Sequence, residues 1–142
     1  MTFIDLDART VQRAKLATFA FFALAGVAFA TWASRIADAK IALGLSAGEL
    51  GATLFAMSAG SVLALPLTGR VVERFGVVRT IRAGMIVAAL GAVVVGLGVD
   101  LWDSRPVVMV GLFLLGIGVG GWDVAMNLEA TDVERHLGRA IM

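Results

Sequence analysis

The sequence predicts an all-α membrane protein with four transmembrane helices. Hydrophobic residues make up 59% of the 142 residues and charged residues 16%, with a mean hydropathy of +0.91, whereas soluble domains carry about 25% charge. Four uncharged runs are each close to the roughly 17 to 25 residues that a helix needs to cross a bilayer. These runs are residues 16–34, 50–69, 83–99 and 106–122.

Local signals place the ends of these helices. Ser46 and Glu49 have the spacing of a capping box, in which each residue bonds the other's backbone N–H, so a helix is predicted to begin there. Pro106 suits the first turn of the last helix. We therefore expect a polar arm, four helices and a polar tail: 1–14, about 16–37, 47–69, 80–99 and 106–128, and 129–142.

Small residues recur at every fourth position in three of the predicted helices. Such stripes let membrane helices approach closely, either within one chain or between subunits. The stripes are Gly26/Ala30/Ser34, Ala88/Ala92/Gly96 and Gly116/Gly120.

Lysine and arginine are unevenly distributed between the two sides of the predicted bundle. Three precede the first span, four lie in the second connection and two in the tail, against three on the other side. Because cytoplasmic loops carry the excess of these residues, both ends of the chain are predicted to be cytoplasmic, with the helices in the inner membrane.

The fourth predicted helix carries a carboxylate, Asp123, and an amide, Asn127, in an apolar, glycine-rich segment. A charge in hydrocarbon costs about 2.5 to 3.5 kcal/mol on insertion scales, so it persists where it lines a protein interior or a water-filled path. At about 100° per residue, both side chains share a face with Gly116 and Gly120, and we expect that face to meet neighbouring helices. Alternatively, Asp123 pairs with an arginine outside this sequence or lies near the inner membrane surface.

The second connection, Gly69-Arg-Val-Val-Glu73-Arg74-Phe-Gly76, resembles a signature of the major facilitator superfamily of secondary transporters. That signature has a glycine, apolar residues, an acid, an arginine, any residue and a second glycine. Glu73 replaces the commoner aspartate, and valines follow Gly76 where the superfamily has a basic pair. The resemblance implies a gate hinge at Gly69, Glu73, Arg74 and Gly76. The alternative is an ordinary basic loop at the membrane surface.

The segment Asp123-Val-Ala-Met-Asn127 is similar to the sugar-permease branch of that superfamily, which includes fucose permease. In that permease a protonatable acid faces the central cavity from the fourth helix, and Asp123 matches it. The superfamily fold has twelve helices in two halves built from three-helix repeats. The resemblance, which extends from the first helix to Met142, therefore implies that this chain is an amino-terminal fragment.

The resemblance also implies a function: proton-linked transport of a small, sugar-like polar solute by alternating access. Asp123 would exchange the proton and Asn127 would hydrogen-bond the solute. The implied partners are the solute, protons, the lipid bilayer, and the missing carboxyl-terminal helices or other subunits.

A second hypothesis is a self-contained four-helix membrane protein that forms oligomers, as a small exporter or a non-transporting scaffold. Small four-helix exporters rely on an acid inside the first helix, and residues 16–34 contain none, which weakens the exporter version. An enzyme is not indicated, because no nucleophile and base pair, metal-ligand set or phosphate loop appears. The sequence likewise indicates no cofactor and no nucleic-acid partner.

The mass of the native protein separates the two leading hypotheses. If these helices begin a full transporter, the intact protein extracted from its membrane will be several times heavier than 14.8 kDa. Intact-mass spectrometry measures this directly. A native mass of 14.8 kDa would instead support an assembly of small subunits.

Overall fold

The structure, a computed structural model, describes residues 8–137, and the arm and tail beyond them lie outside the described part. Side chains are described throughout 29–128, at residue 131 and at some positions of 16–28. The described residues form four α-helices and no strand, which confirms the all-α fold class. The helices are α1 (Ala8–Ala42), α2 (Ala47–Phe75), α3 (Val77–Asp100) and α4 (Arg105–Leu137).

Three of these helices are long and apolar enough to cross a membrane. They are α2, α3 and the part of α4 that ends at Leu128. The first predicted span, 16–37, lies within α1, where many side chains are outside the described part, and it stays a prediction.

The helices extend beyond the predicted membrane spans at both ends of the chain. Residues 8–14, expected as part of a polar arm, already belong to α1, and α4 continues through residues 129–137 of the expected tail. Alanine, arginine and glutamate, which favour helix, make up half of the residues in these two segments. Charge therefore marks where these helices become polar, and it does not mark where they end.

The start of α2 follows the prediction. The Ser46 hydroxyl accepts a hydrogen bond from the Glu49 backbone N–H at 3.3 Å, and the Ser46 backbone N–H donates to Glu49 Oε2 at 3.0 Å. Both halves of the capping box are present. Two of the backbone donors that a helix start leaves open are thereby satisfied.

The end of α2 corrects the prediction that the helix stops at Gly69. The helix runs on through Phe75, and Gly76 is the single residue between α2 and α3. Gly76 has a φ of 82° and its N–H donates to the Val72 carbonyl at 2.8 Å. A side chain is disfavoured at that φ, so the second glycine of the pair is the one that ends the helix.

The chain divides into two compact units, residues 1–34 and 35–142. In the first unit, the described part of α1 bonds polar side chains to its own backbone: the Thr31 hydroxyl donates to the Val27 carbonyl at 2.8 Å and Ser34 donates to the Thr31 carbonyl at 2.9 Å. In the second unit, α4 packs extensively against both α2 and α3, which touch each other much less. The central helix of this unit is therefore α4.

Glycines bring α4 close to its two neighbours. A Cβ added at Gly111 would lie 2.7 Å from the Val95 backbone nitrogen of α3, and one added at Gly116 would collide with the Met57 carbonyl of α2. The Ser61 hydroxyl donates to the Gly116 carbonyl at 3.0 Å, so this contact also carries a hydrogen bond between helices. Close backbone contacts of this kind are how membrane helices gain packing energy without a hydrophobic drive between them.

The glycine contacts revise one predicted stripe and support another. Gly116 and Gly120 do face a neighbouring helix, since a Cβ on Gly120 would lie 3.0 Å from Ser61 Cα. On α3, however, Ala92 is exposed and nothing lies within 4 Å of a Cβ at Gly96. Ala88 of this stripe does meet α4, and the other contacts of α3 with α4 are at Gly84, Gly91, Val95 and Gly98.

We predict that Gly116→Ala destabilises the native protein while Gly96→Ala does not. The added methyl group at residue 116 meets backbone atoms that cannot move independently, which typically costs about 1 to 3 kcal/mol. At residue 96 the site is open, and alanine favours helix over glycine by about 0.5 to 1 kcal/mol. Thermal unfolding of the purified variants in detergent measures both, and equal stability of the two variants would contradict the packing described.

Candidate functional site

The last part of α4 has two chemically different faces. Trp122, Ala125 and Met126 are buried, Ala125 completely, and the Trp122 indole N–H donates to the Met126 sulfur. Asp123 and Asn127 are exposed. Because residues one and two positions apart on a helix face different directions, an apolar anchor and a polar surface alternate along this segment.

Within the described residues, the face that carries Gly116, Gly120, Asp123 and Asn127 meets a neighbouring helix at its two glycines, whereas Asp123 and Asn127 are exposed. Gly116 and Gly120 contact α2, but further along α4 the contact passes to Gly121, where a Cβ would lie 3.4 Å from Thr68 Oγ1. Packed helices cross at an angle, so the line of contact drifts around each of them. Beyond Gly120 it has moved off the face that carries the two polar side chains.

Asp123, Asn127 and Thr131 form a polar stripe at four-residue spacing. The Asn127 side-chain amide donates to the Asp123 backbone carbonyl at 3.0 Å, and the Thr131 hydroxyl donates to the Asn127 carbonyl at 2.9 Å. The Asp123 carboxylate has no hydrogen-bond or ion-pair partner among the described side chains. The stripe therefore presents oxygen acceptors outward, together with the second N–H of the Asn127 amide.

Thr131 was not singled out from the sequence, although its spacing from Asn127 could have identified it. At about 100° per residue Ala130 and Glu134 fall on the same face, and their side chains lie outside the described part.

Asp123 is the acid placed furthest inside a described membrane-capable helix. It lies more than one helical turn before the end of the span at Leu128, whereas Glu49 and Glu73 lie within the first and last turns of α2. Each of those two can reach the aqueous boundary from a helix end, and Asp123 is less able to do so.

The four predicted hinge residues lie at the junction of α2 and α3. Gly69 is half-buried within α2, and Glu73 and Arg74 are exposed on its last turn. The Arg74 guanidinium lies 5.5 Å from the ring centre of its neighbour Phe75. Within the described part neither charge forms an ion pair. The four residues are therefore near each other along the chain, but no ion pair of Glu73 or Arg74 connects them.

The junction and the polar stripe lie toward the same end of the packed helices. Here α4 runs parallel to α2, since Ser61 contacts Gly116 and Thr68, later in α2, lies beside Gly121. It runs antiparallel to α3, and a Cβ on Gly84, near the start of α3, would lie 3.1 Å from Trp122 Cβ. No three His, Asp, Glu or Cys side chains of the described part come together as a metal site.

The chain is similar to two longer bacterial proteins. It is 32% identical over 121 residues to an uncharacterized transporter of Sinorhizobium fredii, which covers 85% of this chain. It is 38% identical over 125 residues to an uncharacterized MFS-type transporter of Yersinia pestis, which covers 87% of this chain. The chain is homologous to an MFS-type transporter. These relatives support a place for it in the major facilitator superfamily, as the resemblance predicted.

In each case the chain spans 31% of the relative's length. No protein-family model and no solved structure matches the chain.

We predict that adjacent substitutions on α4 have opposite consequences for folding. Trp122→Ala removes a buried aromatic side chain and should cost about 3 to 5 kcal/mol. Asp123→Asn changes an exposed group with no described partner, and such changes usually stay within about 0.5 kcal/mol. Thermal unfolding of the two purified variants tests this, and a large loss of stability in Asp123→Asn would show that the carboxylate holds a structural contact.

Proposed function

We propose that this chain is the amino-terminal part of a proton-linked secondary transporter that moves a small, hydroxyl-rich, sugar-like solute by alternating access. The observation that carries the proposal is Asp123, an exposed carboxylate without a described partner, inside a membrane-capable helix. The named transporters among its relatives make transport the function class with the best support.

The placement of Asp123 favours a role in proton exchange. A charge within a membrane segment is retained where water, a proton, a solute or an opposite charge reaches it. In the described part, no lysine or arginine side chain pairs with this carboxylate. A proton that binds Asp123 from one side of the membrane and leaves it on the other would remove and restore the charge in each cycle.

The acceptors of the polar stripe favour a solute rich in hydroxyl groups. One N–H of the Asn127 amide donates to the Asp123 carbonyl, so its side-chain oxygen and its second N–H are left for a ligand. Thr131 likewise donates its hydrogen within α4 and keeps lone pairs free. Together with the carboxylate, these groups match the many O–H donors of a sugar.

The junction of α2 and α3 is proposed as the gate hinge, formed by Gly69, Glu73, Arg74 and Gly76. Gly76 is the only residue between the two helices, and its backbone conformation suits glycine. Motion between the ends of two helices is absorbed by a few terminal residues. Glu73 and Arg74, exposed beside Gly76, are placed to form ion pairs in one state and release them in another.

The proposed location is the inner membrane with a cytoplasmic amino terminus. The junction carries four exposed arginines, at residues 70, 74, 79 and 82, and arginine-rich connections face the cytoplasm. Exposed apolar side chains on α2 and α3 suit lipid, further helices or other subunits equally. The greater length of both relatives favours further helices over the self-contained oligomer.

Proton coupling predicts that Asp123→Asn abolishes solute-driven proton uptake. The native protein would be reconstituted in vesicles containing a pH-sensitive dye and offered a panel of monosaccharides and sugar alcohols. A transported member of the panel should acidify the vesicles in the wild type and fail to do so in Asp123→Asn. Asp100→Asn, which removes an exposed acid at the end of α3, is the matched control and should leave the signal intact.

Two outcomes would contradict parts of the proposal. Equal acidification by wild type and Asp123→Asn would exclude Asp123 as the coupling group. If labelled solute is taken up in a counterflow assay and the dye shows no proton movement, the protein transports the solute without proton linkage.

A further inference from the structure

A second polar cluster lies at the opposite end of the packed helices from the polar stripe. Arg105, the first residue of α4, reaches two residues of α2 that are one helical turn apart. Its Nε donates to the Thr53 hydroxyl at 3.1 Å, and its Nη1 lies 3.4 Å from Glu49 Oε1. We call these three residues the Arg105 clamp.

The clamp stabilises the contact between α2 and α4 more than a surface ion pair alone would, because one of its residues is buried. The Glu49 and Arg105 side chains are 48% and 32% exposed, and a pair of that kind alone contributes little. Thr53, however, is only 2% exposed, and its hydroxyl donates to the Glu49 carbonyl at 2.7 Å while accepting from Arg105. A charged donor on a buried hydroxyl is among the stronger hydrogen bonds in proteins.

Arg105 is a cation at the start of a helix, a position where its charge is unfavourable unless an anion compensates it. A cation in the first turn of a helix opposes the helix dipole, and α4 has no acidic residue in that turn to compensate. Glu49 supplies the missing negative charge from α2. Glu49 also completes the capping box with Ser46, so one carboxylate serves the starts of two helices.

The geometry requires arginine in particular. The two donors lie on adjacent nitrogens of one planar group and meet acceptors one turn apart on α2. A lysine ammonium is a single point on a flexible stem and does not reproduce that fork.

We propose that the Arg105 clamp couples the capped start of α2 to the first turn of α4, so that these two helix ends open and close together. Loss of Arg105 loosens α2 as well as α4, because Glu49 then loses the partner that holds its carboxylate between the two helices. The coupling is reciprocal, so loss of the Glu49 charge also loosens the start of α4. The inference holds whether or not the protein carries protons.

Hydrogen exchange of the native protein in nanodiscs, read by mass spectrometry, tests the coupling. In Arg105→Gln, amides of residues 47–53 and of residues 107–112 should both exchange about tenfold faster, the change expected for one lost charged hydrogen bond. Arg82→Gln makes the same chemical change at an exposed arginine of α3 and should alter neither segment. Faster exchange in 107–112 alone would overturn the proposal, since the two ends would then open independently.

Two milder variants keep the test decisive if Arg105→Gln fails to fold. Glu49→Gln retains a side-chain oxygen for the cap but removes the charge, and it should speed exchange in residues 107–112 of the other helix. Arg105→Lys keeps the charge without the fork and should speed exchange in both segments. Wild-type exchange in residues 107–112 of Glu49→Gln, or in both segments of Arg105→Lys, would overturn the proposal.

Discussion

The close approach of α4 to its two neighbours is the constraint on which the rest of this structure depends. Gly111 and Gly118 allow α3 to reach one side of α4, and Gly116 allows α2 to reach another. Helices in lipid gain little from burying apolar surface and associate through close packing instead. Once the backbones touch at these glycines, the directions of the other described side chains of α4 up to residue 128 are fixed.

That constraint explains why the polar stripe is exposed and does not contact α2 or α3. The contact with α2 follows Gly116 and Gly120, then drifts to Gly121, and the packing beyond it is taken up by buried Trp122 and Ala125. Asp123 lies between two anchored positions yet faces away from both neighbouring helices. Rigid packing on one side of a helix thus holds a carboxylate in a defined place on the other.

Local chemistry was predictable from the sequence, whereas the choice among similar residues was not. The capping box of Ser46 and Glu49 depends on neighbours three residues apart, and the structure has it. Gly69 and Gly76 look alike in sequence, but only Gly76 has a backbone that needs glycine. Four-residue spacing suggested Ala92 and Gly96 as contacts on α3, yet spacing alone cannot select which face of an apolar helix is covered.

The bond between Arg105 and Thr53 marks the limit of sequence reasoning most clearly. The two residues are 52 positions apart, and no local pattern relates them. The result is a unit whose two ends differ. At the Arg105 end, side chains bond across helices, whereas the hydrogen bonds of the polar stripe stay within α4. Groups already bonded to a neighbouring helix are satisfied, and for that reason we place the proposed site at the end whose acceptors remain open.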